Sequence, residues 1–221
     1  MLNFRRWLVC MPPLFGVLAS QGAAAQIYLG VEAGHENLSF NPEYRFVSGK
    51  PNKTYDNPAD GSLAGVVGGY RWKTAADFSL DVQGRFSVSD TEWTLALPDP
   101  AAFRYDIPLN VAVSLLPAYR LNENFSVFAE AGLALGKIRE RKSTAYAAGS
   151  RYDDVTWRPG ILAGFGLSFA MGGGWSMRAG YRRTWYQNHD YDTHDAAGTQ
   201  VETVTSRVVQ STTTLGLIRE F

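Results

Sequence analysis

Eleven consecutive residues, 78–88 (FSLDVQGRFSV), divide into two walls. Phe78, Leu80, Val82, Phe86 and Val88 share one parity; Ser79, Asp81, Gln83, Arg85 and Ser87 share the other. A β-strand points successive side chains to opposite faces, so this stretch reads as a strand with one apolar and one charged side. It has the length of a tilted strand that crosses a bilayer, about 9–11 residues. The apolar wall is therefore assigned to lipid and the polar wall to an enclosed interior, the reverse of a water-soluble sheet.

The alternation recurs in segments 27–34, 63–73, 107–121, 125–138, 155–170, 175–186 and, through a Thr-rich middle, about 203–221. Short connections of Asn, Gly and small residues at 73–77, 122–124 and 171–174 separate some of them. Long polar stretches at about 39–61, 89–106, 139–154 and 187–202 separate the others. Long and short alternate strictly, as in an up-and-down barrel, whereas a Greek-key sandwich has no reason to produce that order. The predicted fold is all-β, an eight-stranded antiparallel up-and-down transmembrane β-barrel over 26–221. The long stretches become extracellular loops, and both mature termini lie in the periplasm. Aromatic residues agree with this. Tyr70, Trp72, Phe78, Tyr119, Phe125, Phe169, Trp175 and Phe221 gather at the short-turn ends on the lipid wall, as an interfacial girdle does. Phe86, Trp157 and Trp185 make a less regular set at the other end.

The start of the chain gives the compartment. Arg5 and Arg6, an apolar stretch over 7–19 and the small residues Ala23-Ala24-Ala25 read as a secretory signal peptide over 1–25. Cys10 is the only cysteine and falls inside it, so the mature chain has no thiol for disulfides, nucleophilic catalysis or metal ligation. Without Arg5 and Arg6 the 21 basic residues become 19 against 21 acidic ones, a charge that gives no reason to expect nucleic acid as a partner. The expected location is the bacterial outer membrane.

Several short motifs carry a family resemblance: Gly69-Tyr70-Arg71, Ala118-Tyr119-Arg120, Gly180-Tyr181-Arg182, Ala129-Glu130-Ala131-Gly132, and a last strand ending in Phe221. In these the chain resembles the eight-stranded outer-membrane barrels grouped with the OmpA membrane domain, OmpX and the neisserial opacity proteins. The resemblance implies a C-terminal signal for the barrel assembly machinery, which Thr214, Gly216 and Phe221 match and Arg219 does not. It also implies contact with outer-membrane lipids and lipopolysaccharide, and a host or surface ligand for the loops. No cofactor is implied.

Three kinds of chemistry remain to be weighed. A lipid-A hydrolase of the barrel type resembles a Ser-His-carboxylate site at the rim. The mature histidines are His35, His189 and His194, and no serine neighbours one of them on its own strand face. The loop containing His189, Asp190, Asp192, His194 and Asp195 has no metal-ligand spacing and reads as a solvated loop. A pore is opposed by an interior just wide enough for side chains. Glu32, Arg71, Asp81, Gln83, Arg85, Arg120, Glu130, Arg158, Arg178 and Arg182 all take the inward parity. Glu32, Asp81, Arg85, Arg120, Glu130, Arg178 and Arg182 are expected to form a structural polar network. At its centre is a Glu32–Arg85–Glu130–Arg182 belt, with Asp81 and Arg178 below. The expected function is non-enzymatic: envelope integrity, or surface interaction and adhesion through the loops. A lipid-A-modifying enzyme is second and a small pore third.

Overall fold

The computed structural model describes residues 25–46, 53–54, 57–74, 76–96, 102–143, 151–194 and 200–221. Most of the expected signal peptide lies outside the described residues, as do parts of each expected loop. The strands are β1 (Ala25–Phe46), β2 (Lys53–Thr54), β3 (Asn57–Lys73), β4 (Phe78–Ser89), β5 (Glu92–Ala96), β6 (Ala102–Arg120), β7 (Phe125–Ser143), β8 (Arg151–Gly172), β9 (Trp175–Tyr186), β10 (His189–His194) and β11 (Gln200–Glu220). β4 with β5 and β9 with β10 each form one interrupted stave, so eight antiparallel staves run round the wall. Pairing of β11 with β1 closes the sheet. Closure leaves no edge, which lets every backbone polar group be satisfied where water is absent.

The register fixes the shape. From Ile27 the paired residues run through Tyr70, Val82, Leu115, Ala131, Ala163, Arg183 and Ser211, and return to β1 at Asn37. A circuit that comes back ten residues along its own strand, 27 to 37, corresponds to staves inclined by about 40°. The lipid wall is as the parity predicts. Ile27, Leu29 and Val31 on β1, Val113 and Leu115 on β6, Leu133 on β7 and Ile161, Phe165 and Leu167 on β8 are all exposed on the outside.

The staves are longer than the alternation of the sequence indicates, and this corrects the expected loop limits. β1 continues to Phe46 and β3 begins at Asn57, inside the stretch read as loop 39–61; β5, β7 and β10 likewise occupy parts of the other three. The reason is a change of surroundings. On β1 the apolar residues are odd-numbered and outward as far as Ala33, then even-numbered and inward at Leu38 and Phe40. The strand is unbroken but its polarity inverts. Leu38, Phe40, Trp93, Tyr105, Ile107, Ile138, Leu162 and Val208 fill the lumen of this loop-end half. His35, Asp60, Arg139 and Arg207 stand on its outer surface. A barrel that leaves the bilayer meets water on its outside, so apolar side chains gain by moving in. Bulges fall at this transition. Val88 faces Leu109 while Glu92 faces Asp106, and Trp185 faces Val209 while His189 faces Ser206. Each step spends four residues of one strand against three of its partner, as a β-bulge does.

Candidate functional site

The interior is the part of this molecule where charged side chains converge, and it is built in layers. Nearest the short turns, Arg71 donates from Nε to Asp81 Oδ1 at 2.8 Å and from Nη2 to Asp81 Oδ2 at 2.9 Å. The same guanidinium also reaches Glu220. Arg178 donates to Gln83 Oε1 at 2.7 Å and lies 3.4 Å from Asp81 Oδ2. Its guanidinium stands over the rings of Tyr28, at 5.4 Å, and Phe128, at 5.2 Å. A bidentate guanidinium–carboxylate pair held against aromatic faces is a rigid arrangement.

The next layer is a closed ring of four charges. Arg182 donates to both oxygens of Glu32, at 2.8 and 3.0 Å, and to Thr214 Oγ1 at 3.0 Å. Arg85 donates to Glu130 Oε1 at 2.9 Å, an oxygen that also accepts from Ser114 at 2.9 Å. Two further contacts close the ring without a hydrogen bond: Arg85 Nε to Glu32 Oε1 at 3.0 Å, and Arg182 Nε to Glu130 Oε2 at 3.7 Å. None of the four residues is more than 8% exposed. Gly216 makes room beside them, since a Cβ there would stand 3.1 Å from the Val31 carbonyl and 3.4 Å from Glu32 Cβ. The remaining space around the ring is about 10 Å³. A water needs roughly 10–15 Å³, so the ring leaves room for at most one water.

Above the ring, Gln210 donates to Glu36 at 2.8 Å and accepts from Tyr186 at 2.6 Å and from Asn110 at 3.3 Å. The Tyr186 ring fits only because residue 136 is glycine: a Cβ there would lie 2.7 Å from it. Arg158 then reaches Glu140 and donates to Ser206 at 3.0 Å. Phe40, Tyr105 and Trp93 cap the column, with Phe40 stacked on Tyr105 at 3.8 Å between centroids.

Of the seven residues expected in the network, Glu32, Asp81, Arg85, Glu130, Arg178 and Arg182 converge in these two layers. Arg120 does not, and its assignment is corrected. It ends β6 at the open mouth, exposed, its backbone N–H donating to the Asp77 carbonyl at 2.7 Å. Among the described residues it borders an open vestibule rather than a packed layer, so nothing encloses it. That polar vestibule of about 250 Å³ is lined by Arg71, Asp81, Arg120, Ser176, Arg178 and Glu220, among others. Glu36, Glu140, Tyr186, Gln210 and Glu220 belong to the interior and were not singled out in the sequence. Their signal was parity, continued along strands longer than the alternation shows. Phe221 is 71% exposed, and its N–H donates to the Ile27 carbonyl at 2.9 Å.

The histidines fall apart. His35 stands on the outer wall with Nε2 3.1 Å from Asp60 Oδ1, which also accepts from Asn37 at 2.9 Å. The register sets Ser62 directly opposite His35, a neighbour that no reading along one strand reveals. No hydrogen bond joins Ser62 to His35 among the described residues; the Ser62 N–H donates to Asp90 at 2.7 Å. His189 pairs in register with Ser206, and the side chain of His194 lies outside the described residues.

The family model of the outer membrane protein β-barrel domain matches residues 9–201. The chain belongs to that family. Two solved structures agree on the fold. The outer membrane protease OmpT of Escherichia coli superposes with a TM-score of 0.53 at 9% identity, over 89% of this chain and 97% of that one. The outer membrane protein OprG of Pseudomonas aeruginosa gives 0.51 at 10% identity, over 88% and 95%. Neisserial surface protein A gives 0.48 at 16% identity, over 89% and 99%. No curated protein matches the chain in sequence. Membership places this barrel in a bacterial outer membrane, so its outward apolar wall faces lipid.

Proposed function

We propose that this barrel is a non-enzymatic anchor that holds its loop end at the cell surface, for envelope integrity or for surface interaction and adhesion. Residues 1–25 serve export, Gly216 and Phe221 contribute to recognition by the assembly machinery, and both mature termini are periplasmic. The observation that carries this reading is the filled lumen: a buried four-charge ring with about 10 Å³ of space beside it. A wall so braced suits a rigid mount better than a conduit. The test uses the absence of cysteine from 26–221. Gln187→Cys at the loop end and Glu123→Cys in a short turn are treated on intact cells with a membrane-impermeant thiol reagent. Labelling of position 187 alone is expected, and labelling of position 123 would reverse the orientation. Cells carrying shortened 144–150 or 195–199 segments are then expected to lose surface binding or detergent resistance while the barrel still assembles. Unchanged cells would remove the surface role.

A second reading, a lipid-A hydrolase, is favoured by His35–Asp60 at 3.1 Å with Ser62 opposite. It lacks the Ser–His hydrogen bond that activates a hydroxyl. Mass spectrometry of lipid A from cells expressing the wild type or Ser62→Ala decides between them. Identical acyl chains are expected, and a difference would put the hydrolase first.

A further inference from the structure

Arg183 occupies an outward position on β9, between the exposed rings of Tyr181 and Trp185. Its cross-strand neighbours are Ala163 on β8 and Ser211 on β11. The Trp185 ring, 5.6 Å from the guanidinium carbon, is its one contact of note. Among the described residues it has neither a carboxylate nor a hydrogen-bond acceptor. Arg219, also on the outer wall, differs sharply: it donates to the Gly173 carbonyl and stacks on Trp175. A charged side chain on a lipid-facing wall needs a partner, and where the protein supplies none the membrane must.

The height of Arg183 says which part of the membrane that is. It lies eight residues along β9 from Trp175, which stands at the short-turn girdle. At about 3.3 Å per residue and about 40° of tilt, it is about 20 Å above that girdle. The apolar band of such barrels is about 25 Å tall, so the Arg183 backbone lies about 5 Å inside it at the loop end, close enough for the long side chain to carry its guanidinium up to the headgroups. We propose that Arg183, Trp185 and the Ser211 hydroxyl form a docking site for one phosphate of the phosphorylated glycolipid of the outer leaflet. The guanidinium takes the phosphate in forked hydrogen bonds, the serine hydroxyl donates a further one, and the indole face covers the adjoining sugar ring. The choice of the outer leaflet rests on the proposed orientation of the barrel.

The experiment measures lipid retention on the refolded full-length mature barrel by native mass spectrometry in detergent. The probes are bisphosphorylated lipid A, the same lipid after dephosphorylation, and phosphatidylglycerol. The wild type is expected to retain the bisphosphorylated form about tenfold better than the dephosphorylated one, the scale of one charge-assisted contact. R183Q is expected to bring that ratio close to one. K137Q, which removes an outward cation beyond the apolar band, is expected to keep the wild-type ratio. Equal retention of both lipid A forms, an R183Q ratio like that of the wild type, or phosphatidylglycerol held as well as lipid A would each overturn the proposal. The comparison of lipids on the wild type stands even if R183Q does not fold. Binding in detergent is independent of orientation, so its failure and that of the orientation, read by cysteine labelling, are told apart.

Discussion

Glu130 accepts from Arg85 and from Ser114, and almost no space for water remains beside it. Its removal leaves Arg85 and Arg182 facing a single carboxylate, Glu32. Breaking one partner of a buried ion pair costs roughly 3–5 kcal/mol, because the survivor is left uncompensated. Glu130→Ala is therefore expected to lower the urea midpoint of the barrel, and Glu130→Ala with Arg85→Ala to recover part of the loss. A Glu130→Ala barrel as stable as its parent would mean that the ring does not form. Gly136 makes a separate prediction. A Cβ there would meet the Tyr186 ring at 2.7 Å and push the phenol from Gln210. Gly136→Ala is expected to cost about 1–3 kcal/mol, as overpacking does, measured by the same unfolding curves.

At the scale of the strand, β1 shows how much the sequence disclosed. Its lipid-facing row from Ile27 to Ala33 is plain in the letters because lipid demands an apolar residue at each outward position. The continuation through Leu38 and Phe40 was not, because the phase inverts where the barrel leaves the bilayer, and one short inverted run looks like loop. Cross-strand partners were hidden for a different reason. Ser62 and His35 are 27 positions apart in sequence, and only the β1–β3 register sets them opposite each other. The inverted half gives its own expectation. Phe40→Ala removes a fully buried ring stacked on Tyr105, a loss of roughly 3–5 kcal/mol with the lipid-embedded wall untouched. Unfolding followed by Trp93 fluorescence should report it, and an unchanged midpoint would place that cluster outside the cooperative unit. Deletion of Phe221 belongs here too. It removes an exposed ring and the bond to Ile27 that ties the last residue to β1. Assembly in cells is expected to fall more than with any shortened loop, scored by the heat-modifiable band on gels. Wild-type yield would move the assembly signal elsewhere.

The whole molecule combines a closed eight-stave wall with a lumen that opens as a vestibule at the short-turn end and is plugged above it by complementary layers: Arg71–Asp81–Arg178, the four-charge ring, the Glu36–Gln210–Tyr186 group, Glu140–Arg158 and the aromatic cap. The parity of inward positions made the acids and arginines legible in the sequence. Which acid meets which arginine depends on shear and height, and these follow from closure of the sheet. Single-channel recording in planar bilayers tests this filling most directly. The refolded wild type is expected to show no steady conductance, and Glu130→Ala, whose ring is broken, intermittent openings. A stable open pore in the wild type would contradict the account.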